Sequence, residues 1–143
     1  MDHYPFACIN PPELGTPLGP YSQALVLPAG SQLLQLSGQT PLQADGSVPE
    51  GIEAQADLVW RRIGIVLRQA GLDYLHICRV VTYLVDPKDA PAHARIRATY
   101  LGAARPASTG IVVAQLFNPA YRLEVDVTAA WPTQGSTRSS VQG

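Results

Sequence analysis

Cysteine and histidine, the residues that most often bind zinc, are scarce in this sequence. Cys8 and Cys78 are its only cysteines, and neither belongs to a paired-cysteine or cysteine/histidine spacing typical of a zinc site. The histidines are far apart rather than four residues apart on one helix, and no carboxylate cluster accompanies them: His3, His76 and His93. We therefore expect two reduced cysteines, no metal and no cofactor.

Lysine is nearly absent, and the basic residues form no cluster. Nine of the ten basic residues are arginines, so only Lys88 could supply the amine for Schiff-base chemistry, which we do not favour. The formal net charge is −1, and the arginines are scattered along the chain. Because a protein that follows a phosphate backbone needs a continuous basic surface, we expect no nucleic-acid partner.

Long apolar runs are absent as well. No run approaches the roughly 20 apolar residues that a membrane-spanning helix needs. Residues 1–6 lack the basic cluster and apolar segment of a signal peptide. With 143 residues, 46% of them hydrophobic, the chain predicts one domain with a sizeable core. The sequence favours a soluble cytoplasmic protein with no membrane partner.

The first half of the chain predicts an arm, a hairpin and a helix. Residues 1–18 are rich in proline and glycine, which indicates an N-terminal arm or loop. Residues 21–27 and 32–37 have strand-like patterns separated by a turn, which predicts a β-hairpin. Apolar residues then recur at intervals of three and four over 52–67, so they share one face of a helix that ends at Gly71.

The second half predicts a strand, a helix and a second hairpin. Residues 76–85 form a continuous β-branched and apolar run, typical of a strand covered by helices. Asp89 is expected to cap the N-terminus of a helix over 90–101. Residues 109–116 and 123–130 are predicted strands, joined by a connection of hairpin length.

This order of elements predicts a single α+β domain. Two helices separated by strands can both cover one face of a single mixed β-sheet, which leaves the other face in need of a partner. We assign the domain to residues 19–131. Residues 132–143 are small and polar, and they are expected to be a disordered tail.

Three short segments carry a resemblance to a known family. They are Gly-Pro-Tyr-Ser-Gln at 19–23, Ser-Gly-Gln-Thr-Pro at 37–41, and Leu-Glu-Val-Asp-Val at 123–127. Over residues 15–131 the chain resembles the RidA (YjgF) family of enamine/imine deaminases. The resemblance implies a chorismate mutase-like fold and a homotrimer. In such a trimer, three sheets form an inner barrel, and a small-molecule substrate binds in clefts at the subunit boundaries.

Glu124 is the predicted catalytic residue. Strand alternation places Leu123, Val125 and Val127 on one face and Glu124 with Asp126 on the other. The pattern alone is also explained by two solvated carboxylates. The resemblance implies that Glu124 positions or activates the attacking water, whereas Asp126 lies outside the family's catalytic match.

Three further residues are predicted to contact the substrate. The resemblance places Tyr21 against the ligand, together with Ser37 and Gly38. A glycine between two polar residues lets a ligand approach the backbone closely, although a plain turn explains the same letters.

One position departs from the family pattern. Ser108, followed by Thr109, stands where members commonly carry an arginine that binds the substrate carboxylate. A serine offers one neutral hydrogen bond, worth about 1 kcal/mol, against about 1.5–3 kcal/mol for a bond to a charged group. Either the ligand differs, or another cation replaces the missing arginine. The candidates are Arg105, our first choice because it precedes the strand closely, Arg97 and Arg122.

The sequence leaves three functions open. The first is hydrolytic deamination of an enamine or imine, with altered substrate preference. The second is a RidA-like enzyme repurposed for cyclodehydration, hydration, tautomerisation or retro-aldol cleavage. The third is a trimer that binds a small ligand without catalysis. Retention of Glu124 disfavours the third function, and loss of the arginine weakens the first.

Overall fold

The computed structural model describes residues 3–132. The predicted tail, apart from Pro132, lies outside these residues. Within them are six strands, two α-helices and three short 3-10 helices: β1 (Ala7–Ile9), β2 (Ala24–Val26), β3 (Leu33–Gln35), α1 (Ile52–Gln69), β4 (Ile77–Leu84), α2 (Ala90–Leu101), β5 (Ala107–Val112), β6 (Leu123–Ala130), and 3-10 turns at Pro12–Leu14, Tyr74–His76 and Pro87–Asp89.

Helix α1 confirms the prediction from its apolar periodicity. Its core-facing residues are buried, and Trp60 has no exposed surface. Gly71 ends the helix in a left-handed conformation, with φ at 76°, which glycine adopts without a steric penalty. The N–H of Leu72 then bonds to the carbonyl of Leu67 at 2.9 Å, which satisfies one of the free carbonyls at the helix end.

The main sheet is mixed, as predicted, and has the strand order β3-β6-β4-β5. Strand β6 is antiparallel to β3 and β4, whereas β4 and β5 are parallel. Parallel neighbours need a crossover connection, and α2 lies in that connection. Both helices pack on one face of this sheet, and β6 alternates between buried residues facing the helices and half-buried residues on the open face.

The two hairpins predicted from the sequence are wrong. Strand β2 pairs with β1, and β3 pairs with β6. The N-terminal arm therefore contains a strand, β1, that the sequence did not indicate. Strand β5 pairs with β4 rather than with β6, and it begins two residues earlier than expected. Turn residues mark where a strand ends, but the choice of partner depends on contacts between distant segments.

Asp89 does not cap helix α2 as predicted. Its side chain makes no capping hydrogen bond, because a 3-10 turn precedes α2 and gives Asp89 a helical backbone conformation. Asp86 caps that turn instead and accepts a hydrogen bond from the N–H of Lys88 at 2.9 Å. The Asp89 carboxylate is left free to pair with Arg122.

No helix among residues 3–132 has both the length and the apolar character that crossing a bilayer requires.

Candidate functional site

Glu124 lies directly over Gly38. The backbone of Gln39 pairs with Val125 of β6 through hydrogen bonds of 2.8 and 3.0 Å, which fixes Gly38 beside the Glu124 side chain. A Cβ atom on Gly38 would overlap the Glu124 carboxylate, since it would lie 2.9 Å from Cδ. Any side chain at residue 38 would therefore force the Glu124 carboxylate to move. Ser37, the residue before Gly38 in the chain, is exposed. Three predicted site residues therefore lie together here, and we call them the Glu124 group: Ser37, Gly38 and Glu124.

The cavity beside Glu124 has walls that the sequence analysis missed. Tyr83 of β4 lies opposite Glu124 in the strand register. The connection between β5 and β6 adds Gln115, Leu116 and the fully exposed Phe117, and the cavity measures about 340 Å³. Cavities of about 440 and 490 Å³ lie beside α1 and near Asn10, and neither contains a predicted site residue.

The surroundings of Glu124 favour its protonated form. Partial burial raises the pKa of its carboxyl group, and the neighbouring charge of Asp126 raises it further. The ion pairs found within residues 3–132 do not include Glu124. A carboxylate with a raised pKa and no paired cation accepts a proton more readily than an ordinary glutamate.

A second group of predicted residues surrounds the start of β5. Ser22 bridges to Ala107, and its N–H bonds to the carbonyl of Pro106 at 3.0 Å. Tyr21 and Ser108 are the residues on either side of this bridge. Arg97 reaches the same region from α2: a Cβ built on Gly19 would lie 3.6 Å from an Arg97 guanidinium nitrogen and 3.9 Å from the Tyr21 ring. We call these three residues the Arg97 group: Tyr21, Arg97 and Ser108.

The two groups are separated within one chain. Ser108 is in register with Val80, which belongs to the helix-covered core, whereas Glu124 is in register with Tyr83 on the other face. Two strand spacings and three residues of rise place the Ser108 and Glu124 backbones about 14 Å apart. One small substrate therefore does not contact both groups of the same chain.

Two of the three candidate arginines are engaged elsewhere. Arg122 forms a two-pronged ion pair with the buried Asp89, at 2.9 and 3.0 Å, and this pairing raises the pKa of Arg122. Arg105 donates to the backbone carbonyls of Gly102 and Ala104, at 2.7 and 2.8 Å. Arg97, in contrast, has a buried Nε without a hydrogen-bond partner in the described part of the chain.

Thr109 contacts an arginine that the sequence analysis did not consider. Its Oγ1 accepts a 2.7 Å hydrogen bond from Arg79 of β4. Alternation along β4 places Arg79 on the face of Tyr83, four residues away, but only the β4–β5 register shows that it meets Thr109.

The described residues show no metal-ligand cluster. No group of three or more histidine, cysteine, aspartate or glutamate side chains within residues 3–132 is arranged to hold a metal ion. Cys8 is exposed and Cys78 is buried, and both are free thiols.

Comparisons with known proteins agree with this fold. The family model described as "Endoribonuclease L-PSP" matches residues 13–131. The chain is 34% identical over 114 residues to Protein DfrA of Myxococcus xanthus, covering 78% of this chain and 86% of that protein. It is 29% identical over 114 residues to the 2-iminobutanoate/2-iminopropanoate deaminase of Mus musculus, covering 78% of this chain and 82% of the relative.

A solved structure matches as well. The Yersinia pestis protein YyfB, of unknown function and of the conserved Rid protein family, has a TM-score of 0.78 and 30% identity, covering 88% of this chain and 98% of its own. The family-model match, the mixed sheet with two helices on one face, and the segments at 19–23, 37–41 and 123–127 agree: the chain belongs to the endoribonuclease L-PSP family, which is the RidA (YjgF) family.

Proposed function

We propose that this protein is a hydrolytic deaminase of small enamines and imines with an altered substrate preference. The observation that carries the proposal is the placement of Glu124. Its carboxylate is held against Gly38 at the wall of a cavity, with a raised pKa and without a cation in an ion pair among the described residues. Such a group suits proton transfer from a water molecule.

The reaction follows from this chemistry. An enamine first tautomerises to the imine. Glu124 then accepts a proton from water while the water oxygen forms a bond to the imine carbon, which gives a carbinolamine. The imine nitrogen takes up that proton as the carbinolamine forms. The carbinolamine hydroxyl then gives its own proton to nitrogen through Glu124, its oxygen forms the C=O bond, and the C–N bond breaks, so that ammonia leaves with the electron pair of that bond. The products are ammonia and a carbonyl compound, so one water is consumed and no redox partner is needed.

Gly38 supports this role by leaving room beside the carboxylate. Because it has no side chain, the Glu124 carboxylate can lie directly against its backbone. Tyr83 and Phe117 supply apolar surface around the same cavity, which suits a small organic molecule better than an ion.

The proposal includes a homotrimer whose clefts combine two copies of the chain. The Glu124 group and the Arg97 group are too far apart in one chain, and a second copy would bring the Arg97 group of one subunit to the Glu124 group of another. Strand β5, at the edge of the sheet, exposes Ile111 and Val112, at 44% and 54%. Exposed apolar residues on an unpaired edge favour burial against another subunit.

The proposed substrate is a small molecule with a carbon–nitrogen double bond. The mouse relative is named for 2-iminobutanoate and 2-iminopropanoate, which are the first compounds to test. Ser108 cannot form the two-pronged contact that an arginine makes to a carboxylate, so we expect weaker binding of both here unless another cation supplies that contact. The scattered basic residues disfavour RNA as the substrate.

The test is hydrolysis of an imine made in place. An amino-acid oxidase generates 2-iminobutanoate from 2-aminobutyrate, and semicarbazide traps the imine that has not been hydrolysed. An active deaminase lowers the rate of semicarbazone formation, and Glu124→Gln should abolish that effect. If a panel of aliphatic and aromatic imines is hydrolysed no faster with the protein than without it, the proposed function is wrong.

Ser108 also supports a second candidate, a repurposed enzyme. The same carboxylate could move a proton in tautomerisation, hydration, cyclodehydration or retro-aldol cleavage, reactions that do not require the family's arginine. Ammonia distinguishes the two functions, because only the deaminase releases it in proportion to substrate consumed.

A further inference from the structure

Arg97 is a half-buried cation without an ion-pair partner among the described residues. Its Nε is shielded from solvent and has no hydrogen-bond partner within residues 3–132, and burial lowers the pKa of its guanidinium group. The ion pairs of the described chain involve Arg61, His76 and Arg122 instead. A buried charge that lacks a partner destabilises the folded protein, so a role other than packing is the simpler explanation for an arginine here.

The position of Arg97 links it to the predicted substrate-binding segment. Its guanidinium group lies beneath Gly19 and close to the ring of Tyr21. A Cβ at Gly19 would make an ordinary van der Waals contact with the guanidinium group, so this segment packs directly beside Arg97. Ser22, in the same segment, is also buried, with a hydroxyl group that has no partner among the described residues. Unsatisfied polar groups thus occur twice within this short region.

We propose that Arg97 binds the carboxylate of the substrate, a role moved from strand β5 to helix α2 in this protein. The inference rests on the proposed function, because it assigns the anionic end of the same substrate. Among the three candidates only Arg97 is free for the role: Arg105 is bound to backbone carbonyls and Arg122 to Asp89.

The assignment defines a substrate class. A carboxylate beside Arg97 would pair with the half-buried guanidinium group, and charge-assisted bonds of this kind are about twice as strong as neutral ones. The Ser108 hydroxyl group, at the start of β5, would add one neutral bond. The substrate is therefore a small imino acid with a free carboxylate rather than a neutral imine.

The experiment measures binding of 2-oxobutanoate, the carbonyl product of 2-iminobutanoate hydrolysis. Its dissociation constant is obtained by ligand-observed NMR for the full chain and its variants. We expect Arg97→Gln to weaken binding by about tenfold or more. Arg97→Lys keeps the charge but not the planar guanidinium group, so its dissociation constant should lie between those of the wild type and Arg97→Gln. Arg95→Gln removes an exposed arginine from the same helix and should leave binding unchanged.

A second pair of variants separates binding from structure. Restoring the family's arginine in the double variant Arg97→Gln/Ser108→Arg should recover most of the lost affinity, since the guanidinium returns to β5. Arg97→Met should not lower the thermal midpoint, because it removes a buried charge and keeps the apolar stem. A structural arginine would behave in the opposite way, with loss of stability and no recovery by Ser108→Arg.

The outcomes distinguish this inference from the proposed function. If Arg97→Gln binds 2-oxobutanoate as tightly as the wild type, or if the wild type does not bind it, the assignment of Arg97 is wrong. Glu124→Gln tests the proposed function separately, since it should lose turnover while it still binds 2-oxobutanoate. Normal turnover by that variant would refute the proposed function, whatever Arg97 binds.

Discussion

The indole N–H of Trp60 donates a 3.1 Å hydrogen bond to Nε2 of His93, and both side chains are buried between the two helices and the sheet. Nε2 can accept this bond only when the imidazole is neutral. Burial, and to a smaller extent the positive charge of Arg97, lower the pKa of His93 to about 4.

This relationship predicts acid destabilisation. With a folded-state pKa of about 4 against about 6.5 in the unfolded chain, His93 takes up a proton on unfolding between these pH values. The contribution of neutral His93 to the free energy of unfolding is therefore complete above about pH 6.5. Up to about 3 kcal/mol of it is lost as the pH falls towards about 4. Urea unfolding at fixed protein concentration, repeated over this pH range, measures the loss of stability. His93→Gln, which keeps an acceptor but does not titrate, should remove this part of the pH dependence. If the free energy of unfolding of the variant depends on pH as steeply as that of the wild type, other groups cause the acid destabilisation.

Glu124→Gln should reduce turnover by about 10²–10⁴, the usual range for a positioned acid or base. The change is nearly isosteric, so the fold should be kept, as a circular dichroism spectrum would show. Asp126→Asn is the matched control: it lies on the same face of β6 and should cost little at neutral pH. Equal losses in both variants would indicate general damage to the strand rather than catalysis.

The acid limb of the pH–rate profile should report the raised pKa of Glu124. The proposed mechanism needs the ionised carboxylate, so turnover should fall as the pH drops through a value above the usual pKa of a glutamate. Asp126→Asn removes a neighbouring negative charge and should move this limb to lower pH. A limb that stays in place would mean that Asp126 does not influence the group that titrates.

Gly38→Ala should impair catalysis without unfolding the protein. The added methyl group would overlap the Glu124 carboxylate and force it to move, and a displacement of this size costs about 10–10²-fold in turnover. Gly110→Ala is the control, since its Cβ would meet nothing within 4 Å. If Gly38→Ala retains full turnover, the position of the carboxylate is not critical.

The proposed cleft requires more than one chain. Sedimentation should show a stable trimer at micromolar concentration, and a charge on the apolar edge of β5, such as Ile111→Glu, should weaken both association and turnover. A wild-type monomer that is fully active would contradict the shared cleft.

The candidate site was partly readable in the sequence. Alternation in β6 correctly separated Glu124 from the core residues Val125 and Val127. The contact between the Glu124 carboxylate and Gly38 was not predicted from the sequence and is seen only in the structure. Tyr83 and Phe117 were missed, because one reaches the cavity through strand register and the other through a loop.

What the sequence determined by itself was local. The spacing of apolar residues established α1, and the two-residue period of β6 established its buried face, since both depend only on near neighbours along the chain. The tertiary structure alone decided that β2 pairs with β1 and β5 with β4, and that Asp89 binds Arg122 instead of capping α2. It also left the Nε of the half-buried Arg97 without a hydrogen-bond partner in the described chain. Pairings of this kind depend on which distant groups folding brings within hydrogen-bonding distance, and residue spacing carries no record of those distances.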